Sequence, residues 1–154
     1  QRVYSCIKPS DGQILPIKKA TEAHYSMLHQ YAAEMMLEDL KFDPRSDEHH
    51  HERTINSRIQ LGKTWVHTVD GQVRFMIDVG MESPKGAQVG GTYVPTDFRG
   101  NGLATNGMRA ICGELLKRVE RVTLHVNEAN TAAIRCYERA GFVRKTPYRL
   151  IDLR

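Results

Sequence analysis

The sequence predicts a single sheet domain of mixed α/β (α+β) class over residues 1–154, and three observations support that prediction. The chain has 40% hydrophobic and 26% charged residues, the composition of one ordinary folded domain of its length. Apolar residues at helical spacing dominate residues 21–61. A run of β-rich segments with turn signals follows and leads into alternating strand and helix patterns. We therefore expect two helices, an antiparallel meander and a strand–helix–strand–helix unit.

The first third of the chain is predicted to contain an arm and two helices. Residues 1–16 are polar and broken by Pro and Gly, so they should form an irregular N-terminal arm or a short edge strand. A first helix should start near Thr21 and end before Pro44. A second helix is predicted over Asp47–Leu61, because Gly62 follows it as a typical helix-ending residue.

The middle of the chain has the pattern of an antiparallel meander. Thr64–Val69 and Gln72–Val79 are β-rich and flank Asp70-Gly71, a strong hairpin signal. A second turn is predicted at Ser83–Gly86, and a third strand at Gln88–Val94 before a proline. The double glycine inside that third strand predicts a β-bulge or a close approach of the backbone.

The remaining segments alternate between helix and strand. The sequence predicts a helix over Leu103–Val119, a strand over Arg121–Val126 and a helix over Asn130–Ala140. A final strand pair is predicted at Phe142–Lys145 and Tyr148–Leu153.

The distribution of charge narrows the class of ligand. The net charge is +4, but Lys and Arg are spread along the whole chain. Nucleic-acid binding needs a basic stripe interleaved with aromatic residues, so no nucleic-acid partner is expected. A basic chain suits an anionic ligand, although a mildly basic surface explains the same charge.

The sequence contains nothing typical of a membrane or secreted protein. No apolar run approaches the roughly 20 residues of a membrane helix, and no leader pattern is present, so no membrane contact is expected. The three cysteines are odd in number and far apart, which favours reduced thiols and a cytoplasmic location. The start at Gln1 suggests a piece of a longer protein.

The segment from Val89 to Ala104 is the most informative. A strand ends, a short loop crosses, and a glycine-containing turn opens a helix. Gly100 and Gly102 allow a ligand close to the main chain, and the free N–H groups of the helix start attract an anion. Arg99 adds a forked cation suited to phosphate. A plain surface turn explains the same glycines.

Two other nucleotide motifs fit less well. Lys63 follows a Leu-Gly pair as in a P-loop, but that motif needs a glycine where Ser57 stands. A dinucleotide fingerprint needs Gly or Ala at position 105, which is Thr. A Rossmann-type nucleotide-binding domain therefore stays only as an alternative.

Two segments together resemble the GNAT superfamily of acyl-CoA-dependent N-acyltransferases. Arg99-Gly-Asn-Gly-Leu-Ala104 is similar to the family pattern Q/R-x-x-G-x-G/A after a strand, and Asn130–Phe142 is similar to the block N-x-x-A-x-x-x-Y-x-x-x-G-F. The resemblance implies a mixed, mostly antiparallel twisted sheet with helices on both faces. It also implies that strands 88–94 and 121–126 splay apart to admit the pantetheine arm.

The resemblance further implies a set of site residues. Acetyl-CoA would be the acyl donor, with Tyr137 giving a proton to the departing thiolate. The residues implied in coenzyme binding are Thr92, Tyr93, Val94, Arg99, Gly100, Asn101, Gly102, Leu103, Ala104 and Asn130. Tyr137 could instead be a core aromatic residue, and Asn130 could be a helix N-cap.

The proton acceptor is not evident from the sequence. The third strand contains no acid, where some members of the family carry one. Asp78, Glu82, His67 and His125 on neighbouring strands are alternatives, as is an ordered water. The acid- and histidine-rich start of the second helix invites a metal site, but consecutive helical histidines point in different directions, so no metal is expected.

The sequence thus predicts direct transfer of an acetyl group from acetyl-CoA to a primary amine of a small molecule or peptide. The alternative of another class is a GNAT-like module that binds acyl-CoA without turnover. The family also includes a subgroup with a preceding N-terminal domain that this chain resembles. A homodimer, or contact with such a domain, is a further expectation.

Overall fold

A seven-stranded sheet organises the computed structural model, which describes residues 1–145. Its strands are β1 Arg2–Cys6, β2 Lys18–Lys19, β3 Thr64–Val69, β4 Gln72–Ser83, β5 Gly86–Tyr93, β6 Val122–Val126 and β7 Val143–Lys145. The helices are α1 Tyr25–Leu40, α2 Glu48–Gln60, α3 Leu103–Leu115 and α4 Thr131–Ala140. The prediction for Tyr148–Leu153 lies outside the described residues.

The strand order is β2-β3-β4-β5-β6-β1-β7, and every pair except β5–β6 is antiparallel. This confirms the mixed, mostly antiparallel sheet and contradicts the doubly wound parallel sheet of a Rossmann domain. Strands β5 and β6 are in register only at Ala87↔Val122 and Gln88↔Thr123. They separate beyond those residues, as the predicted splay requires.

Helices cover both faces of the sheet. Successive side chains on β4 point to opposite faces, so this strand contributes to the core on each side. Phe75 and Ile77 are fully buried in a cluster with Met108 of α3, which α4 also joins. Met76 points to the other face and packs with Leu28 of α1 and residues of α2. The result is a three-layer α+β arrangement with the sheet in the middle.

Local signals predicted the boundaries of several elements. Thr21 caps the short 3₁₀ turn that leads into α1, and a 3₁₀ turn begins at Pro44 after α1 ends. Asp70 and Gly71 both have positive φ, 52° and 76°, as a type I′ hairpin turn requires. Gly62 follows α2 at φ 66°. The predicted third helix ends earlier than expected, at Leu115.

The expectation of an irregular arm or edge strand at the N-terminus is wrong for Arg2–Cys6. This segment pairs with β6 on one side and β7 on the other, so it is an inner strand. Tyr4 is completely buried there. The strand is short and its partners lie more than a hundred residues away, which is why local pattern alone missed it. No helix within residues 1–145 is both long and apolar enough to cross a membrane.

Candidate functional site

A cavity of about 330 Å³ opens beside the end of β5, between the start of α3 and α4; we name it the α4 cavity. Every predicted site residue except Asn101 lines it: Thr92, Tyr93, Val94, Arg99, Gly100, Gly102, Leu103, Ala104, Asn130 and Tyr137. The Asn101 side chain instead donates a hydrogen bond to the Phe98 carbonyl oxygen, at 3.2 Å. Residues far apart in sequence therefore meet around one opening.

The loop before α3 has the geometry of an anion site. Gly100 and Gly102 have left-handed backbones, with φ of 86° and 75°, and Gly102 is the N-cap of α3. The N–H groups in the first turn of any helix have no intrahelical acceptor, and the N-cap residue of α3 offers no side-chain acceptor in its place. A Cβ placed at Gly100 would meet no atom within 4 Å, so the space in front of the loop is open. These amides and the helix dipole suit a phosphate group.

Arg99 does not present its guanidinium fork to this space. Its Nε donates to the Val94 carbonyl oxygen at 2.8 Å, and both terminal nitrogens bind the Glu38 carboxylate at 2.8 and 2.9 Å. The guanidinium carbon also lies 5.3 Å from the centre of the Tyr93 ring. The expected phosphate contact of this fork is thus replaced by a clamp that joins the loop to β5 and α1. The hydrogen bond from Arg99 lowers the pKa of Glu38.

Tyr137 is half-buried on α4 and lines the cavity wall. Its ring also packs against the core, 6.1 Å from the ring of Phe142, so a packing role and a cavity role coexist. Burial raises the pKa of Tyr137 to about 12, while a hydrogen bond with Thr92 opposes that shift. The phenol therefore stays protonated at neutral pH and can serve as a proton donor.

Asn130 is the N-cap of α4, as the alternative interpretation predicted. Its side-chain oxygen accepts a hydrogen bond from the Ala133 amide at 3.2 Å. The same residue lines the α4 cavity, so capping places it there.

The double glycine in β5 forms the predicted bulge. Pairing with β4 moves from Met76↔Tyr93 to Asp78↔Gly90, which leaves one extra residue on β5. Gly91 has φ 62°, and a Cβ there would lie 2.7 Å from Oδ2 of Asp78. The bulge therefore brings a carboxylate against the β5 backbone immediately before Thr92.

A second cavity, of about 790 Å³, lies between α1, α2 and the β4–β5 hairpin; we name it the α2 cavity. Of the four candidate proton acceptors, only Asp78 lines either cavity. Glu82 is bound by both Nε and Nη2 of Arg118 at 2.7 and 3.1 Å. His67 Nδ1 donates to the Pro16 carbonyl oxygen at 2.8 Å, and His125 is exposed on β6.

Within residues 1–145, the histidine-rich start of α2 brings together no group of three His, Cys, Asp or Glu side chains that could hold a metal ion. His51 is buried, and its Nε2 lies 2.9 Å from the His29 carbonyl oxygen. Sequence reasoning missed Glu38 and Asp39, which line the α4 cavity from the end of α1. They lie far upstream of the loop before α3 that contains Gly100 and Gly102, which we name the glycine loop, and no local pattern connects the two regions.

Comparison with known proteins gives a family for the chain. The family model "Acetyltransferase (GNAT) family" matches residues 27–142, from α1 through both motif segments. No curated protein sequence matches the chain significantly.

Solved structures share the fold at low sequence identity. A GNAT-family acetyltransferase from Colwellia psychrerythraea is 14% identical with a TM-score of 0.77, over 93% of this chain and 52% of that one. Spermidine N-acetyltransferase from Vibrio cholerae, solved with CoA and spermine, is 14% identical with a TM-score of 0.71, over 85% and 82%. Ribosomal-protein-alanine N-acetyltransferase from Brucella melitensis is 21% identical with a TM-score of 0.59, over 80% and 82%.

The present chain spans about half the length of the Colwellia protein. The structural likenesses, at these identities, show the fold. The family model covers most of the chain and includes the glycine loop and the Asn130–Phe142 block. The resemblance inferred from these two segments is confirmed, and the chain belongs to the GNAT acetyltransferase family.

Proposed function

We propose that this chain transfers an acetyl group from acetyl-CoA directly to a primary amine. The observation that carries the proposal is the α4 cavity. It combines the start of α3, whose free amides suit an anion, with the end of β5 and the phenol of Tyr137. Membership of the family supports the reaction class. Three free cysteines, two of them buried, favour a reducing compartment, and we assign the activity to the cytoplasm on that basis.

The residues of the cavity fit acetyl-CoA. The amides of Leu103, Ala104 and Thr105 would receive the pyrophosphate, since the first turn of α3 leaves them without acceptors. The backbone of Thr92–Val94 would pair with the pantetheine arm, because β5 has no register with β6 beyond Gln88. Arg99 would act through its clamp to Glu38 and Val94, which holds the loop in place.

Two groups of the chain would assist the transfer. Acetyl-CoA supplies an activated acyl group as a thioester. Amide N–H groups near Thr92–Val94 would stabilise negative charge that develops on the acyl oxygen. Tyr137 would donate its proton to the departing sulfur, and its raised pKa keeps that proton available at neutral pH.

Two measurements test the proposal. Acetyl-CoA at about 100 times its dissociation constant should stabilise the fold by roughly 2.7 kcal/mol, and NAD should not. A panel of amines should then give acceptor-dependent release of free CoA thiol. Stabilisation by NAD alone would contradict the coenzyme assignment.

A binding module without turnover is the second candidate. The observation that favours it is the absence of any acid within β5, Gly86–Tyr93. Such a module would bind acetyl-CoA in calorimetric titration and release no thiol with any amine in the panel. Binding with no turnover would therefore retire the enzyme and keep the coenzyme site.

A further inference from the structure

The α2 cavity adjoins the α4 cavity along two shared elements. On β5, Gly90 and Gly91 line the α2 cavity, whereas Thr92 and Tyr93 line the α4 cavity. The end of α1 likewise contributes to both. The bulge in β5 is thus a common wall, and a group in the α2 cavity can approach the strand end where the acyl group would lie.

Asp78 lies at this wall in a fixed position. Its Oδ1 accepts a hydrogen bond from the Thr64 hydroxyl at 2.5 Å, and its Oδ2 accepts one from Nη1 of Arg58 at 3.1 Å. The side chain is only 19% exposed. Because Gly91 has no side chain, the carboxylate rests directly against the bulge.

The charged groups around Asp78 come from several elements. Burial raises the pKa of Asp78, while Arg58 from α2 and the Thr64 hydroxyl from β3 oppose that shift. The other titratable groups that line the cavity are Asp47, His50, His51 and Lys63. The negative charges of Asp47 and Asp78 are matched by the positive charges of Arg58 and Lys63. The lining therefore offers no surplus of negative charge for a polycation.

The rim of the α2 cavity is apolar and exposed. Leu40, Phe42 and Met81 are 66%, 50% and 78% exposed, and all three line the opening. Met35 and Met36 continue the apolar surface inward, and methionine adapts to ligands of varied shape. Exposed apolar residues gathered at a cavity mark a binding surface.

We propose, building on the acyl transfer proposed above, that the α2 cavity binds a primary amine carried on an apolar or aromatic body and that Asp78 accepts its proton. The carboxylate takes one proton from the ammonium form and passes it to solvent. The neutral nitrogen then bonds to the acyl carbon as the carbon–sulfur bond breaks. Tyr137 gives its proton to the departing sulfur, the nitrogen loses its second proton to solvent, and solvent returns a proton to the Tyr137 oxygen.

The test compares Asp78→Asn with Glu82→Gln, a control on the same strand that lines neither cavity. The probe acceptor is phenethylamine, with spermidine as the polycationic comparison. At pH 7, kcat/KM of Asp78→Asn for phenethylamine should fall by about 10²- to 10⁴-fold, the usual loss of a general base. Glu82→Gln should match the wild type. Titration with CoA should give the same affinity for all three proteins.

The pH dependence separates catalysis from structure. As pH approaches the pKa of the amine, about 10 as for Lys, free amine becomes plentiful and Asp78→Asn should regain most of its activity. If Asp78→Asn does not fold, Asp78→Glu keeps the charge but displaces the carboxylate, and the same loss is expected. A deficit that is equal at every pH would make Asp78 a structural residue and overturn the inference.

The outcomes also separate this inference from the proposed function. Wild-type protein that releases no thiol with any amine refutes the proposed function itself. Wild-type turnover that Asp78→Asn retains at pH 7 refutes only the role of Asp78. Higher kcat/KM for spermidine than for phenethylamine overturns the apolar acceptor class.

Discussion

The α4 and α2 cavities share a wall but are built from different chemistry. The anion site of the α4 cavity depends on backbone groups of one contiguous loop, where Gly100 and Gly102 take left-handed conformations. The α2 cavity depends on side chains from α1, α2 and β4. A backbone site needs particular residues at particular spacings, so it is visible in the sequence. A side-chain site is assembled by the tertiary fold and can change its ligand without changing the fold.

The largest expected effect tests whether Tyr137 in the α4 cavity takes part in acyl transfer or only packs against the core. Tyr137→Phe keeps the ring that packs on Phe142 but removes the proton donor. The turnover number should fall by about 10²- to 10⁴-fold while affinity for CoA stays near the wild-type value. Steady-state kinetics with an active amine, beside calorimetric titration, measures both.

Tyr25→Phe is the matched control, since Tyr25 is half-buried on α1 and lines neither cavity. It should leave turnover unchanged. Normal turnover in Tyr137→Phe, with lower stability, would instead make Tyr137 a packing residue.

The second prediction breaks the backbone site alone. Gly102→Val forces a β-branched residue into φ 75° and places methyl groups beside the free amides. Hydrogen bonds to charged groups contribute about 1.5–3 kcal/mol each, so CoA affinity should fall by about 100-fold. Calorimetric titration measures this.

Gly71→Val provides the same strain elsewhere, because Gly71 has φ 76° at the tip of the β3–β4 hairpin. A Cβ there meets no atom within 4 Å. It should lose similar stability but bind CoA normally. Equal CoA affinity in both variants would reduce the glycine loop to a surface turn.

The third prediction concerns the wall between the cavities. Gly91→Ala would place a Cβ 2.7 Å from Asp78 Oδ2 at φ 62°. Left-handed strain of about 1–2 kcal/mol adds to about 1 kcal/mol for a disturbed hydrogen bond, so unfolding should cost about 2–3 kcal/mol less. Urea denaturation measures this loss, and Gly71→Ala should show only the strain.

In kinetics, Gly91→Ala should lower kcat/KM for the amine more than it lowers CoA affinity. A loss confined to CoA affinity would show that the two cavities do not act separately.

The smallest effect tests the clamp between Arg99 and Glu38. Glu38 has a lowered pKa in the folded state, so the pair stabilises the protein above the unfolded pKa of Glu38, and that stability is lost as pH falls through the folded value. Both side chains are more than 40% exposed, which limits the contribution at pH 7 to about 0.2–1 kcal/mol. Urea denaturation of Glu38→Gln at pH 7 and near pH 3 measures it.

Glu82→Gln removes a similar surface pair with Arg118 and should lose comparable stability at pH 7. Only Glu38→Gln should also weaken CoA binding, because only that pair holds the glycine loop. Equal CoA affinity in the two variants would remove the clamp from coenzyme binding.

Local signals in the sequence predicted much of the fold. Asp70-Gly71 predicted its hairpin because few residues accept positive φ, and Gly62 follows α2 for the same reason. The pair Gly90 and Gly91 predicted the bulge that the register confirms. The inner position of Arg2–Cys6 could not be predicted, because strand order depends on partners that only the folded sheet brings together.

The sequence by itself therefore determined the family, the mixed sheet and the backbone loop of the α4 cavity, because these depend on residue types at short, regular spacings. The tertiary structure alone decided that the Arg99 fork binds Glu38. It also decided that, of the four candidate acids and histidines, Asp78 lies at the wall of the α2 cavity and against Gly91. Such pairings depend on distances between remote elements, and the packing of α1 and α2 on the sheet determines those distances.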